Sequence, residues 1–304
     1  MVDFATLDFD FDKDLTKNFF KCANIIVIQE EKSMLYDTHM HTRFSGDSDA
    51  APEDMIKAAR EKGLTGLCFT DHLDIDYREE PHLFDLDFEK YFREMPVIKE
   101  KNESDDFHIG IGIEMGLQPY LAPKHHELLK KYDFDFVIGS VHVINGYDPY
   151  YENFYKNINV RDAYRTYFDQ VLENIRAFDE YDTLGHLDYV VRYGLKYFGS
   201  PAADCPFEVY RSQIEKILRH LIMHGKSLEV NTGAFRYGMS EPNPSYQILQ
   251  FYYDLGGRDI TLGADAHEPK DVGIAFDTVV PRLKKIGFEY FNVYMNRMPV
   301  KMQL

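Results

Sequence analysis

The feature of this chain that most constrains its fold is a regular alternation of short apolar runs with longer amphipathic segments. The apolar runs have the length of buried strands, and they span 36–41, 66–72, 109–114, 136–142, 183–186, 227–231 and 260–264. The amphipathic segments predict helices at 52–61, 87–101, 125–131, 160–178, 207–224, 245–255 and 279–286, and 288–294 could add a last strand. Because no linker-like stretch interrupts them, seven βα units predict a single-domain α/β fold closed into one parallel barrel.

Length, composition and charge narrow the class of protein. A chain of 304 residues with 44% hydrophobic content can bury a large core, and its apolar runs are too short to cross a bilayer. We see no secretory signal, and Cys22, Cys68 and Cys205 form no CxxC pair, so we expect reduced thiols and a cytoplasmic location. The net charge of −17, without a basic stripe, argues against nucleic acid as a partner.

Titratable side chains are concentrated where the predicted strands end. They are His39 and His41, Asp71 and His72, Glu114, His142, His186, and Asp265 with His267. Catalytic residues of such barrels lie at the C-terminal ends of the strands, so these groups should meet at one rim. A single histidine there is more often a hydrogen-bonded loop residue, and a single aspartate is usually a helix cap. Their number at one rim favours a metal centre.

The spacing of these residues fits metal ligation. His39 and His41 are two apart on a strand, so both imidazoles point the same way and can bind one ion. Asp265 and His267 have the same spacing, and the two oxygens of Glu114 could bridge two cations. Nitrogen and oxygen ligands favour Zn, Fe or Mn, and the absence of cysteine ligands argues against a structural zinc.

Four segments carry a resemblance to a known family. They read DTHMHTRFSGDSD at 37–49, FTDH at 69–72, GSVH at 139–142 and GADAH at 263–267. They resemble the four motifs of the polymerase and histidinol phosphatase (PHP) superfamily, with Glu114 and His186 in the remaining ligand places. The chain is most similar to the stand-alone histidinol-phosphatases. The resemblance implies a distorted (β/α)7 TIM-like barrel over 34–304 that carries three divalent metal ions.

Carried over position by position, the resemblance implies three ion sites. The first would use His39, His41, Glu114 and Asp265; the second Glu114, His142 and His186; the third Asp47, His72 and His267. Asp47 departs from the histidine of many relatives, and aspartate is an acceptable ligand. Asp37 and Asp71 are expected to orient ligand imidazoles from behind.

The reaction implied is hydrolysis of L-histidinol phosphate to L-histidinol and phosphate in histidine biosynthesis. Divalent ions clamp phosphoryl oxygens and activate water, and the expected catalytic residues are Glu114, Asp265 and His267. Arginine forks suit phosphate, and the candidates are Arg161, Arg192 and Arg43, with Asn231 as a further substrate contact. A small phosphorylated substrate with an ammonium group predicts carboxylates in the loops, for which Asp74, Asp76, Glu79 and Asp188 are candidates.

Other functions stay open from the residues alone. One is a PHP-type phosphatase acting on another phosphate, such as protein phosphotyrosine. Another is a metal-dependent amidohydrolase or deaminase, which shares the HxH pattern but has no use for a third ion. A metal-binding protein without catalysis is disfavoured, because ligands at a barrel mouth reach solvent. The sequence does not define the oligomeric state.

Residues 1–33 form an N-terminal extension with no place in this barrel. Apolar and acidic residues alternate over 7–12, and 24–29 could form a strand. The extension is either an appended strand and helix or the product of an upstream start, and we attach no function to it.

Overall fold

The structure is a computed structural model, and it describes residues 35–199, 202 and 205–304. The N-terminal extension, its candidate strand at 24–29 and Cys22 lie outside these residues. The hydrogen bonds, ion pairs and cleft of the protein are those formed among the described residues.

A single run of parallel strands forms the centre of the fold. The strands are β1 (Tyr36–Asp37), β2 (Gly66–Phe69), β3 (His72–Leu73), β4 (His108–Gly116), β5 (Phe136–Ser140), β6 (Thr183–Leu184), β7 (Ser227–Asn231) and β8 (Ile260–Gly263). They pair in the order β1-β2-β4-β5-β6-β7-β8, and β3 continues the line of β2 alongside β4. All seven predicted strands are therefore present, and the run 66–72 is divided into two short strands.

The first and last strands meet and nearly close the barrel. The backbone N–H of Thr38 donates to the carbonyl of Leu262 (3.0 Å), and that of His41 donates to Ala266 (2.8 Å). The carboxylate of Asp37 reinforces this seam, because it accepts N–H bonds from Ala264 (2.9 Å) and Gly273 (2.8 Å). The predicted α/β barrel is confirmed, and its closure depends on a few hydrogen bonds rather than on a long ladder.

Eight α-helices surround the barrel in the described residues. They are α1 (Pro52–Glu61), α2 (Phe88–Asn102), α3 (Ala122–Lys131), α4 (Val160–Ala177), α5 (Tyr189–Phe198), α6 (Arg211–His224), α7 (Tyr246–Asp254) and α8 (Phe276–Ile286). Helix α4 begins with an N-cap, since the Asn159 side chain accepts from the N–H of Asp162. It buries the predicted face, which includes Tyr164, Phe168 and Val171.

Two of the sequence predictions need correction here. Helix α5 was not predicted, although its buried residues share one face. It packs so closely that a Cβ on Gly194 would lie 2.1 Å from the Tyr164 hydroxyl. The helix predicted at 207–224 begins only at Arg211. Residues Phe207–Val209 instead form a short 3₁₀ turn, and Tyr210 has a φ of −125°, which is outside the helical range.

The last predicted strand exists but does not belong to the barrel sheet. Tyr290–Met295 (β9) pairs antiparallel with Met298–Gln303 (β10) in a hairpin. Apolar side chains of this hairpin, such as Phe291 and Val293, are buried in the common core. Every described helix is too short or too polar to cross a membrane.

We expect Asp37→Asn to weaken the barrel seam. The amide would place an NH₂ group against a buried backbone donor, and an unsatisfied buried donor costs about 1–3 kcal/mol. Urea unfolding of chelator-treated protein measures this loss without a contribution from metal binding. Asp105→Asn is the matched control, because Asp105 is exposed and makes no side-chain hydrogen bond; equal stability of the two variants would show that Asp37 does not hold the seam.

Candidate metal centre

The strand ends bring six imidazoles and three carboxylates to one rim of the barrel. His39 and His41 follow β1, His72 lies in β3 and Glu114 in β4. His142 follows β5, His186 follows β6, and Asp265 and His267 follow β8, while Asp47 comes from the turn after His41. All are buried except His267, which is partly exposed, and Asp47, which is exposed. The predicted ligand residues are thus brought together.

The first group of donor atoms lies around Oε2 of Glu114. The Nε2 atoms of His39 and His41 are 3.0 Å apart, and they lie 3.3 and 3.5 Å from this oxygen. Oδ1 of Asp265 is 3.3 Å from Nε2 of His41 and 3.7 Å from Nε2 of His39. These are the four residues of the first predicted ion site.

The second group lies around the other oxygen of Glu114. Its Oε1 is 3.3 Å from Nε2 of His142 and 2.9 Å from Nε2 of His186, and the two Nε2 atoms are 3.3 Å apart. Since one carboxylate oxygen faces each group, Glu114 has the geometry of a bridging ligand.

The third group is nearer the solvent. Oδ2 of Asp47 is 3.0 Å from Nε2 of His267 and 3.7 Å from Nε2 of His72. The ring of His41 stacks against both imidazoles, with centroids 4.1 Å apart in each case. His41 and His72 each belong to two possible ligand clusters. Both group with His267; in addition, His41 groups with His39 and Asp265, and His72 groups with Glu114 and His142.

The donor atoms fit divalent metal ions by their spacing. Ligands bound to one tetrahedral zinc at about 2.0–2.2 Å lie roughly 3.3–3.5 Å from one another, which is close to the separations in the first two groups. Oε2 of Glu114 is buried and accepts no well-oriented hydrogen bond, although Nδ1 of His72 lies 2.9 Å away. A buried carboxylate oxygen in this state is costly unless a cation binds it.

The charges of the cluster also favour the binding of divalent cations. Burial disfavours the charged form of Glu114, but His39, His72 and His142 hold the pKa of its carboxyl well below the usual range. Burial alone would lower the pKa of His39. The carboxylates of Glu229, Glu114 and Asp265 outweigh this effect and raise the pKa of His39 well above its usual value. Burial, with His72 and His267, lowers the pKa of His41. The centre therefore demands positive charge, which divalent cations could supply.

Two carboxylates hold ligand imidazoles from behind. Oε1 of Glu229 is 2.6 Å from Nδ1 of His39, and its Oε2 accepts from the N–H of His186 (2.7 Å). Oδ1 of Asp74 is 2.9 Å from Nδ1 of His142. Carboxylates in this position fix the tautomer and the direction of a ligand ring. Sequence reasoning missed Glu229 and gave Asp74 to the substrate.

The two residues predicted for this orienting role behave differently. Asp71 accepts from the Ser45 hydroxyl (2.9 Å), and Ser45 lies 3.1 Å from Nδ1 of His41, so Asp71 reaches a ligand through one intermediary. Asp37 makes its hydrogen bonds to backbone N–H groups and contacts no imidazole nitrogen. Its role is to hold the strand ends.

The metal centre forms the floor of a cleft of about 640 Å³. Arg192 lies in its wall and donates to Asp265 (3.0 Å), Asn231 (2.6 Å) and Asn243 (2.7 Å). These bonds use three of the five N–H groups of the guanidinium. Arg236 also lines the cleft and donates to the carbonyl of Asp265. Arg236 was not predicted, although its position just after β7 places it on the rim.

Several predicted substrate residues lie elsewhere. Arg161 is exposed in the first turn of α4 and does not line the cleft, while Arg43 forms ion pairs with Glu53 and Glu94. In this structure neither side chain lines the cleft, and their role with phosphate stays a prediction. Asp76 is exposed and accepts from Tyr120, Glu79 accepts from the N–H of Asp148, and Asp188 accepts from Asn243 and Ser245. None of these three lines the cleft. Asn231 is buried beneath the cleft, where it holds Arg192 rather than reaching the open space.

Comparisons with known proteins agree with this centre. The family model of the PHP domain matches residues 37–233. The probable histidinol-phosphatase of Thermotoga maritima is 34% identical over 260 residues, which cover 85% of this chain and 95% of that protein. The histidinol-phosphatase of Lactococcus lactis is 34% identical over 256 residues, covering 83% and 91%.

A solved structure extends the similarity to three dimensions. The crystal structure of histidinol phosphate phosphatase from Lactococcus lactis, complexed with zinc, L-histidinol and phosphate, superposes with a TM-score of 0.80 at 32% identity. The match covers 88% of this chain and 99% of that one. Fold and rim together define a PHP-type metal-centre protein. The chain belongs to the PHP domain family, and within it to the histidinol-phosphatases.

We expect Glu229→Gln to weaken metal binding although it removes no ligand. The amide cannot accept both from the His39 ring and from the N–H of His186, and loss of an orienting partner typically lowers metal affinity by about 10–100-fold. Competition with a calibrated chelator measures the affinity, and Glu289→Gln, an exposed replacement of the same kind, is the control. Unchanged affinity in Glu229→Gln would remove this role.

Proposed function

We propose that this protein is a metal-dependent phosphomonoesterase that hydrolyses L-histidinol phosphate to L-histidinol and phosphate in histidine biosynthesis. The observation that carries the proposal is the convergence of six imidazoles and three carboxylates at a cleft that also contains Arg192 and Arg236. The Lactococcus lactis relative, with which the chain superposes over 88% of its length, binds zinc, L-histidinol and phosphate. The barrel of residues 34–304 is the catalytic unit, and the extension 1–33 receives no function.

The proposed ligands are divided among three ions. The first is held by His39, His41, Glu114 and Asp265, the second by Glu114, His142 and His186, and the third by Asp47, His72 and His267. Zinc, iron or manganese fits these nitrogen and oxygen donors. When bound, divalent ions neutralise phosphoryl oxygens and lower the pKa of water toward about 7.

The chain's own residues have separate tasks. Arg192 and Arg236 bind and orient the phosphate, since both line the cleft and the Arg192 fork keeps two N–H groups free. The Asp265 carboxylate is shared, since its Oδ1 lies 3.3 Å from Nε2 of His41 and its Oδ2 accepts from Arg192 (3.0 Å). Together with Glu114 and His267, it is a proposed catalytic residue. Arg192 is pinned by three partners, so little ordering is needed when phosphate arrives.

Two other activities are less well supported. An amidohydrolase has no use for the third group, yet Asp47, His72 and His267 lie together at the rim. A phosphatase for protein phosphotyrosine would present an open groove, whereas this cleft is walled by tyrosines and carboxylates suited to a small charged molecule. We infer that the substrate is small, that nucleic acid is not a partner, and that the protein acts in the cytoplasm.

Protein purified without chelator should contain two to three equivalents of zinc, iron or manganese. Because Glu114 faces two donor groups, Glu114→Gln should lose more than one equivalent and reduce phosphatase activity by orders of magnitude, while circular dichroism shows a folded barrel. Elemental analysis and turnover are measured side by side with Glu289→Gln. Near-normal metal content and turnover in Glu114→Gln would reject the bridging assignment.

The enzyme should prefer histidinol phosphate over p-nitrophenyl phosphate and over a phosphotyrosine peptide by at least about a hundredfold in kcat/KM, on the order of 2.7 kcal/mol. The physical reason is that the acidic, aromatic cleft contacts the ammonium and imidazole of the natural substrate. Steady-state kinetics with the three substrates provide the test, and growth of a histidine auxotroph lacking this step is an independent check. Equal or reversed preference would show that histidinol phosphate is not the natural substrate, and the protein would be a metallophosphatase with another substrate.

A further inference from the structure

One buried carboxylate of the cleft has no role in the metal centre. Asp148 lines the cleft and is only 3% exposed. Its Oδ2 accepts from the Tyr77 hydroxyl (2.6 Å). Its Oδ1 accepts from the N–H of Tyr150 (2.7 Å) and from the Tyr189 hydroxyl (3.2 Å). Three neutral donors thus aim the carboxylate, and about one of its four acceptor positions stays free.

Asp148 has no cationic partner. Within the described parts of the chain, no Lys, Arg or His side chain forms an ion pair with it, and His142, which acts on it through space, is engaged by Asp74. A buried carboxylate without a counter-charge is destabilising, and burial raises the pKa of Asp148 to about 6. A protein keeps such a group where a ligand supplies the missing charge.

A second buried carboxylate of the cleft has an oxygen that accepts no hydrogen bond. Asp74 lines the same cleft and is 2% exposed. Its Oδ1 faces His142, and its buried Oδ2 makes no hydrogen bond, although Nδ1 of His72 lies 3.6 Å away. The charge of Asp74 also acts on Asp148. Two acidic groups therefore border one part of the cleft with acceptor capacity left over.

Aromatic rings complete this part of the cleft. Tyr77, Tyr150, Tyr151, Tyr189 and Tyr193 all line it. The Tyr189 and Tyr193 rings meet edge to face at 5.1 Å, and the Tyr150 and Tyr193 rings do so at 5.3 Å. Tyrosine faces attract ammonium groups when water is excluded. The wall thus offers a carboxylate and aromatic faces together, which is the chemistry that recognises a primary ammonium.

Helix α5 links this wall to the phosphate end. Tyr189 and Arg192 are three residues apart on α5 and lie on the same face. The first donates to Asp148, while the second donates to Asp265 of the metal centre. One helix therefore fixes an anionic group and a cationic group of the cleft relative to each other, which suits a phosphate monoester that also carries an ammonium group.

We propose that Asp148 binds the primary ammonium group of the substrate and selects aminoalkyl phosphate monoesters over amine-free ones. This inference rests on the proposed function, because it takes the phosphate to lie at the metal centre. Glu268 and Asp271 also line the cleft, but no tyrosine hydroxyl donates to either carboxylate among the described residues. A further carboxylate outside the metal centre is Glu80. It is exposed and is held by the Tyr151 hydroxyl, so solvent screens its charge.

The test is the amine preference, defined as kcat/KM for histidinol phosphate divided by kcat/KM for its deamino analogue, 3-(imidazol-4-yl)propyl phosphate. The unaltered enzyme should show a preference on the order of a hundredfold, and Asp148→Asn should lower it at least about tenfold. Glu80→Gln, the matched control, should change it by less than about fivefold, as expected for an exposed charge. Because the preference is a ratio within one variant, general damage to the site cancels.

Two further measurements separate recognition from structural support. Tyr77→Phe removes one hydrogen bond to Asp148 but keeps its charge, so the preference should stay within about fivefold of the unaltered enzyme. If Tyr77→Phe lowers the preference as much as Asp148→Asn does, Asp148 only supports the loop, and the proposal fails. If Asp148→Asn does not fold, inhibition of p-nitrophenyl phosphate hydrolysis by L-histidinol and by 3-(imidazol-4-yl)propanol decides; equal inhibition would overturn the proposal.

Failure of the proposed function would look different. Phosphoethanolamine and ethyl phosphate form a second pair that lacks the imidazole. If histidinol phosphate is not turned over, but an amine preference within this pair still depends on Asp148, then the proposed substrate is wrong and the ammonium site stands. If histidinol phosphate is turned over with an amine preference that Asp148→Asn leaves intact, the proposed function stands and the ammonium site is rejected.

Discussion

The fold depends on the satisfaction of one fully buried carboxylate. Glu114 lies in the long central strand β4, where Ser140, His142 and His186 contact one oxygen, and His39, His41 and His72 face the other. Removal of a carboxylate from water costs several kcal/mol unless opposite charge and hydrogen bonds replace the water. The strand order must therefore bring imidazoles from both sides of β4 to this point. The strand order that satisfies Glu114 is therefore the same one that assembles the candidate metal ligands.

The parts that could be predicted from the sequence follow from local rules. Strand and helix types came from the period of apolar residues, and the ligands were found because each lies where an apolar run ends. The predicted strand 36–41 pairs with β2 only through Tyr36 and Asp37. Beyond them the chain turns to the seam with β8 and directs His39 and His41 inward. A local pattern identifies such a strand but does not show where its pairing stops.

The parts that could not be predicted depend on contacts between distant segments. Glu229 lies in an apolar run and reads as a core position. Only closure of the barrel, which brings β1 next to β8 and therefore near β7, places its carboxylate at His39. Asp74 and Asp148 are 74 residues apart as loop carboxylates and share a cleft only because two loops fold over one rim. The sequence could not separate Asp148 from Asp76, which is exposed, or from Asp188, which is buried against Asn243 and Ser245 and does not line the cleft.

The seam of the barrel connects stability with function. The first donor group takes His39 and His41 from one side of the seam and Asp265 from the other, while few backbone hydrogen bonds join the two sides. An ion in that group would act as an added cross-link, and a ligand that binds only the folded state stabilises it in proportion to RT ln(1 + [L]/Kd). The carboxylates and imidazoles that oppose folding without a cation would then favour it with one. A short, weakly paired seam is therefore tolerable at this position, because the same residues that perform the chemistry hold it closed.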